Sequence, residues 1–408
     1  MEYYRKQALC YAPCGGAVPA GAERVSGPFS PLILTVRREP AHSRGFWAIR
    51  ELSELEEAEG PAALLPALPG ESSELASFIR KNGASVLNTT FPGAFAYAEH
   101  WFGSAAQNRK LTVTLVGLGD VGGTVLTALK LLGREIGEIR IFDFHEAQCR
   151  RYAMELNQVL PLEPGEAQPV ISVCTQEQLF DCDLFLFTAS RGVPPVGQEQ
   201  TDVRMAQYEA NRAMITGYAR MARAAKFQGL FCQISDPVDL LARAVYLESN
   251  RGEAGHFDWQ GLLPEQVQGF GLGVMAARAR YYAPELELDP EAIRVYGPHG
   301  AGLVAANAPG ADYDPERSQR LSKLTRQANL RVRELGFKPY IAPGISSAAV
   351  STLQLLRGRF HYGAVPLGQA YFGCRSRFTA NGLETFREPI CPELLVRLEQ
   401  AYGDLIIE

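Results

Sequence analysis

The stretch LTVTLVGLGDVGGTVLTALKLLGREIGEIRIFD, Leu111 to Asp143, decides the fold. Its opening, Leu111 to Val116, alternates and is rich in β-branched side chains, which predicts a buried strand. Gly117, Gly119 and Gly122 follow in G-x-G-x-x-G spacing. An apolar-periodic run from Val121 to Leu132 predicts a helix, and Ile139 to Phe142 a second strand ending on Asp143. The glycine spacing alone says little. Strand, glycines, helix, strand and acid within about thirty residues form the context of a dinucleotide-binding βαβ unit.

Each part has a physical task. Gly117 permits a tight turn, Gly119 lets the backbone approach a pyrophosphate, and Gly122 allows the helix to pack closely on the strand. The helix start, with Asp120 and Val121, offers unpaired N–H groups and a positive dipole end to phosphate oxygens. Asp143 lies 20 residues beyond Gly123. A carboxylate at that strand tip accepts hydrogen bonds from both adenine-ribose hydroxyls and repels a 2′-phosphate, so the expected cofactor is NAD rather than NADP.

Downstream, strands alternate with helices, which predicts an α/β class with a doubly wound parallel sheet. Glu146 to Leu160 reads as a helix, Pro169 to Cys174 as a strand, and Asp183 to Thr188 as an apolar strand. Asp202 to Ala225 reads as a long helix and Leu230 to Ile234 as the next buried strand. Ligands of such sheets bind beyond the carboxyl ends of strands. Thr188, Ala189 and Ser235 stand at those ends and complete the expected cofactor-binding set. In the last third, helices over Gly271–Tyr282, Arg317–Leu335, Ser346–Arg357 and Pro392–Tyr402, with short strands near Ile293, Val365 and Ala370, make an α+β unit.

The first hundred residues read as an α+β segment of unknown role. Pro31–Val36 and Gly45–Arg50 look like strands, and Ser53–Glu59 and Glu74–Lys81 like short helices. GPAALLPALPG at 60–70 looks like a linker punctuated by Pro and Gly. The aromatic residues Phe91, Phe95, Tyr97, His100, Trp101 and Phe102 are expected to pack against the next domain. The expected division is 1–107, 108–265 and 266–408.

At 408 residues, 46% hydrophobic and 21% charged, the composition is that of a globular protein with two or three cores. A net charge of −5 with scattered basic residues offers no nucleic-acid surface. No apolar run approaches the length of a transmembrane helix, so no membrane partner is expected. The amino terminus is too polar for a signal peptide. Eight cysteines lack framework spacing and several lie in apolar runs, as reduced thiols do. A cytoplasmic protein is expected. Cys10 and Cys14 supply two ligands where zinc needs four, so no metal site is predicted.

From about residue 110 onward, the ordered motifs resemble the lactate/malate dehydrogenase family. VTLVGLGDVGG resembles the family's first strand and glycine loop, FDFHE its ribose-binding acid, and MELNQ its M-D-L-x-H segment. FTASRGVPPVG resembles its T-A-G and mobile substrate loop, and SDPVDLL its S-N-P-V-D. AARARYY resembles S-A-R-F-R-Y, GPHGAG resembles G-E-H-G-D-S, and YFGCRSRFTANGLE resembles paired strands with an N-G turn. The resemblance implies a Rossmann-type sheet followed by a lactate/malate dehydrogenase-like α+β domain. It also implies hydride transfer between NAD and a small 2-hydroxy or 2-keto acid, in a homo-dimer or homo-tetramer. Carried over by position, the proton-shuttling histidine is His299 and the carboxylate-binding arginine is Arg278, with Arg280 beside it as the other candidate. An imidazole exchanges protons near neutral pH, and a guanidinium fork grips a carboxylate bidentately.

The departures lie in the substrate half. The position of the family's histidine-orienting aspartate holds Met275, whose thioether is a poor acceptor. Neutralising the analogous aspartate of a serine-protease triad lowers turnover about 10⁴-fold. The asparagine of S-N-P-V-D is here Asp236. The place of the substrate-loop arginine falls on Gln200 or Asp202, with Arg191 and Arg204 nearby but displaced. Two readings follow. In one, the protein is an altered dehydrogenase in which Asp236 replaces the missing acid at His299, or binds a cationic or hydroxyl group of a non-standard substrate. In the other, it is an NAD-binding, catalytically degenerate relative serving as sensor, scaffold or assembly partner. The amino-terminal segment, absent from ordinary members, fits either. NAD-dependent glycoside cleavage would need a metal cluster that the sequence does not offer.

Overall fold

The computed structural model describes residues 1–56, 59–68, 70, 73–105, 109–161, 168–191, 203–337 and 343–407. Six strands open the chain: β1 (Tyr3–Lys6), β2 (Leu9–Pro13), β3 (Glu23–Val25), β4 (Leu32–Val36), β5 (Phe46–Ile49) and β6 (Ala84–Asn88). Helix α1 (Glu74–Asn82) precedes β6 and α2 (Ala94–Ala105) follows it. The middle of the chain alternates β7 (Leu111–Val116), α3 (Asp120–Leu132), β8 (Ile136–Phe142), α4 (Glu146–Asn157) and β9 (Val170–Val173). It continues with β10 (Leu184–Phe187), α5 (Val203–Ala224), β11 (Leu230–Gln233), α6 (Val238–Ser249) and β12 (Val267–Gly269). These strands are parallel, in the order β9-β8-β7-β10-β11-β12. That is the 3-2-1-4-5-6 order of a Rossmann sheet, which reverses between β7 and β10 and opens a crevice there. All four residues of β10 and of β11 are buried, as strands covered on both faces must be.

The last third holds α7 (Leu272–Tyr282), β13 (Arg294–Tyr296), β14 (Val304–Ala306), α8 (Pro315–Glu334) and α9 (Ser347–Leu356). It ends with β15 (His361–Pro366), β16 (Tyr371–Thr379), β17 (Gly382–Thr385) and α10 (Pro392–Ile407). Among the described residues β13 and β14 pair only with each other, and β15–β16–β17 form an antiparallel meander. The meander joins both other parts of the chain. Strand β15 meets β12 at Gly269↔Ala364, and β17 meets β5 at Leu383↔Trp47. One hydrogen-bonded order of fifteen strands results.

The expected elements from 111 onward lie where the periodicity puts them, within a few residues. The amino-terminal segment differs. Strands β1, β2, β3 and β6 were not anticipated, because each has only three to five residues and takes its stability from neighbours rather than from its own pattern. Residues 60–64 are not a solvated linker. Pro61–Leu64 form a 3₁₀ turn with Pro61, Ala63 and Leu64 buried, and Leu64 O accepts from Glu388 N at 3.1 Å. Pro and Gly set the turns, but the apolar run between them belongs to the core. Where a helix was expected from Ser53, a 3₁₀ turn spans Leu52–Leu55. The aromatic cluster packs as expected: Phe91 and Tyr97 share a core with Phe185, Phe187 and Phe231. Among the described residues no helix is long and apolar enough to cross a membrane.

Glu265, just before β12, ties the amino-terminal segment to the Rossmann sheet. It is fully buried, and its Oε2 accepts from Gly45 N at 3.0 Å and Phe46 N at 2.8 Å. Burial pushes its pKa up from 4.5 to about 7, against the pull of those N–H groups and of Arg44. The unfolded chain therefore loses this proton first as the pH rises. Stability falls between about pH 4.5 and 7 and levels off above, by on the order of 3 kcal/mol from this group. Thermal melts from pH 5 to pH 8 are expected to lose several degrees more for the wild type than for Glu265→Gln. Equal slopes in the two proteins would count against this role.

Candidate active site

The cleft at the carboxyl ends of β7, β8 and β10 has a volume of about 720 Å³. Gly117 starts its glycine turn at φ +94°, and a Cβ there would lie 2.6 Å from Ala189 N. A Cβ at Gly122 would come within 1.8 Å of Gly117 O, so helix α3 reaches the turn only because that side chain is absent. Gly119 caps α3 and lines the cleft, with open space where a Cβ would project. Asp120 and Val121 occupy the first turn of α3 and line the same cleft. Asp143 sits at the tip of β8, where Oδ2 accepts from Leu118 N at 2.7 Å and Oδ1 from His145 N at 2.9 Å. These bonds fix the carboxylate and leave it further lone pairs for hydroxyl donors. Tyr218, Met214 and Met221 of α5 close the opposite wall. A backbone lacking Cβ atoms, a helix start and a fixed acid thus fit a pyrophosphate and a ribose.

Thr188 and Ser235 line the site differently from a simple ligand donor. Thr188 Oγ1 lies 2.7 Å from Gly117 O, and Ser235 Oγ donates to Ala189 O at 2.7 Å. Their hydroxyls pin the strand ends of β7, β10 and β11 to one another. Asn211 of α5, which the sequence reading did not single out, does the same from the other side. It is fully buried, donates to Asp236 O at 2.7 Å and accepts from Arg191 N at 2.9 Å.

Next to the cleft, sharing Val121, Thr188 and Ser190 with it, lies a smaller cavity of about 180 Å³. His299 and Asp236 both line it. His299 Nδ1 lies 2.9 Å from Asp236 Oδ1, and Asp239, in the first turn of α6, accepts from His299 N at 2.9 Å. A carboxylate only accepts, so Nδ1 carries the hydrogen and Nε2 is left to exchange a proton with a bound ligand. Burial lowers the pKa of His299, but the charge and hydrogen bond of Asp236, with the charge of Asp239, outweigh it and hold the pKa above its ordinary value. Gly271 makes room for the ring, since a Cβ there would stand 2.9 Å from His299 Cγ. Ser347 and Ser351 of α9 form the far wall. Asp239 was within the quoted SDPVDLL; an acid in the first turn of a helix following a strand end is the signal that marks it.

Met275 is buried and lies 3.9 Å from Arg278 Nη1 through its sulfur, the one partner the structure records for that guanidinium among the described residues. Burial lowers the pKa of Arg278, opposed by Tyr282 and Asp236. Arg280 points elsewhere, paired with Glu291 at 2.5 Å and donating to Pro290 O. Of the two arginines, Arg278 alone is close enough to influence His299 electrostatically. Arg191 lines the larger cleft, while Gln200 and Asp202 lie outside the described residues. All eight cysteines are free thiols, and among the described residues no cluster of three His, Cys, Asp or Glu is placed to hold a metal.

The strand order and the glycine turn define a Rossmann-type α/β protein, and solved structures of that class superpose on it. A minor L-lactate dehydrogenase from Enterococcus mundtii does so with a TM-score of 0.58 at 21% identity, over 72% of this chain and 96% of that one. The malate dehydrogenase from Archaeoglobus fulgidus in complex with NADH gives 0.57 at 16% identity, over 72% and 97%. No protein-family profile matches the sequence. Curated relatives do: an L-lactate dehydrogenase from Treponema denticola is 31% identical over 203 residues, covering 49% of this chain and 58% of the relative. L-lactate dehydrogenase 2 from Bacillus cereus is 29% identical over 192 residues, covering 46% and 55%. The chain thus spans a little over half the length of these relatives. Sequence and fold together support membership of the lactate/malate dehydrogenase family.

Replacing Asp236 by Asn is expected to move the His299 titration, followed by NMR of the imidazole, to lower pH. An unmoved titration would show that the carboxylate does not act on the ring. Gly122→Ala is expected to cost at least about 2 kcal/mol in urea unfolding, because the added carbon overlaps Gly117 O.

Proposed function

We propose that the chain is an NAD-dependent oxidoreductase that interconverts a small 2-hydroxy acid and its 2-keto acid, with a monocarboxylate favoured over a dicarboxylate. The observation that carries this reading is the 2.9 Å contact of His299 Nδ1 with Asp236 Oδ1. It supplies an acid to the histidine where Met275 cannot. Gly117, Gly119, Gly122 and the start of α3 would hold the pyrophosphate, and Asp143 the adenine ribose. The bound nicotinamide would supply or accept the hydride.

The remaining chemistry belongs to this chain's own residues. Asp236 keeps the Nδ1–H tautomer and balances the imidazolium. Nε2 gives its proton to the carbonyl oxygen during reduction and takes it back during oxidation. The upward shift caused by Asp236 and Asp239 favours the protonated form of the imidazole. Arg278 would grip the substrate carboxylate. Protonated His299 and Arg278 are balanced by Asp236 and Asp239, so the site holds no surplus positive charge for a second substrate carboxylate. Asp236 itself disfavours a second. A homo-oligomer in the cytoplasm completes this reading by likeness to the family.

NADH oxidation measured against a panel of 2-keto monoacids and diacids tests it. Turnover is expected with at least one monoacid, lowered by about 10²–10⁴ in His299→Gln and in Asp236→Asn, with NADH affinity retained. No turnover across the panel, with NADH binding intact by thermal shift, would overturn it in favour of a degenerate cofactor-binding protein.

A further inference from the structure

A second cavity, of about 550 Å³, lies at the opposite ends of the central strands, one strand length from the cleft. Its floor is made by Leu111, Leu184 and Leu230, the first residues of β7, β10 and β11. Trp101 of α2 and Phe378 of β16 form an aromatic wall, with ring centroids 5.3 Å apart and planes tilted by 41°. The indole is held in place by its Nε1–H, which donates to Ala380 O at 3.0 Å. Leu355 of α9 closes the apolar surface. Each of the three parts of the chain therefore contributes one side, and the side carrying Trp101 belongs to the amino-terminal segment.

The rim is charged in an uneven way. Arg109 donates to both oxygens of Asp183, and Oδ2 also accepts from Thr112 N at 2.8 Å. Glu384 is held by Arg377 at 2.9 and 3.1 Å. Arg50 reaches Glu384 only at 3.7 Å and leaves half of its side chain exposed. Three guanidiniums thus face two carboxylates, and the surplus positive charge rests on Arg50. His100 and Ser104, 3.2 Å apart, add polar but pairwise engaged groups to the same rim. An apolar pocket with an aromatic wall and one surplus guanidinium suits a ligand with a flat apolar body and a single anionic head.

We propose that this cavity is a binding site for a small aromatic monocarboxylate, its ring against Trp101 and Phe378 and its carboxylate on Arg50. The site is separate from the His299 cleft, and the wall it takes from α2 gives the amino-terminal segment a ligand-binding role.

Calorimetric titration of the full chain with 3-phenylpropionate, and with the neutral 3-phenylpropan-1-ol, tests the assignment. The acid is expected to bind saturably at sub-millimolar concentration, and the alcohol about tenfold more weakly. Arg50→Gln should weaken the acid by a similar factor and leave the alcohol unchanged. Ser104→Trp, which fills the cavity, should abolish binding of both, while Arg278→Gln should leave it intact. Melting temperatures of the variants report whether each is folded, and Arg50→Gln decides the matter if Ser104→Trp is not. Absence of binding, equal affinity for acid and alcohol, or loss of binding in Arg278→Gln would overturn the proposal.

Discussion

The buried Glu265 carboxylate and the two backbone N–H groups it accepts are the constraint on which the arrangement of the chain rests. Gly45 precedes and Phe46 begins β5, which pairs with β17, while Glu265 itself leads into β12, which pairs with β15. One side chain therefore closes a ring that runs from the amino-terminal segment through the meander to the Rossmann sheet and back. A buried carboxylate without its donors is costly, so the donors and the acid specify each other. The same strand β12 ends at Gly269, two residues before Gly271, whose missing side chain leaves space for His299. The position of the imidazole is thus set by the exit of a strand whose entry is anchored to β5.

In the proposed reading, the acid that serves His299 has moved rather than vanished. In the family pattern it stands three residues before the arginine, on the helix that here carries Met275 and Arg278. In this chain the carboxylate comes from the loop after β11, and a second one, Asp239, holds the histidine backbone. Both acids belong to the Rossmann half, and the histidine to the other half. Met275 then has a different surrounding: it is buried and touches Arg278 through its sulfur. A carboxylate at that position would neutralise Arg278, which a thioether does not.

The Rossmann half was legible because its signals are local. Gly117, Gly119, Gly122 and Asp143 sit within one βαβ unit, and strong periodicity places the elements around them. The geometry of Asp236 and His299, 63 residues apart in sequence, is not local. The sequence indicated that the usual acid was missing and that Asp236 was a candidate in its stead, but only the folded sheet brings the two within hydrogen-bonding distance. Asn211 escaped notice for the same reason: its partners, the loop at Arg191 and the Asp236 carbonyl, converge only in three dimensions. In the amino-terminal segment the strands are too short for periodicity to register. At 60–70, Pro and Gly advertised a linker while Ala63 and Leu64 were packing material.

The fifteen-stranded order is continuous, yet each of its two seams rests on a single register pair, Gly269↔Ala364 on one side and Leu383↔Trp47 on the other. Within the three plates the ladders are three to six pairs deep, with six between β7 and β8 and between β15 and β16. Cooperativity in such a sheet is not carried uniformly by the backbone. Amides inside a plate exchange with solvent only when that plate opens, whereas those at a seam are protected by side-chain packing across it. What joins the plates is their shared cores, with Phe46, Phe187 and Tyr371 in one cluster and Leu64, Leu186 and Phe372 in another.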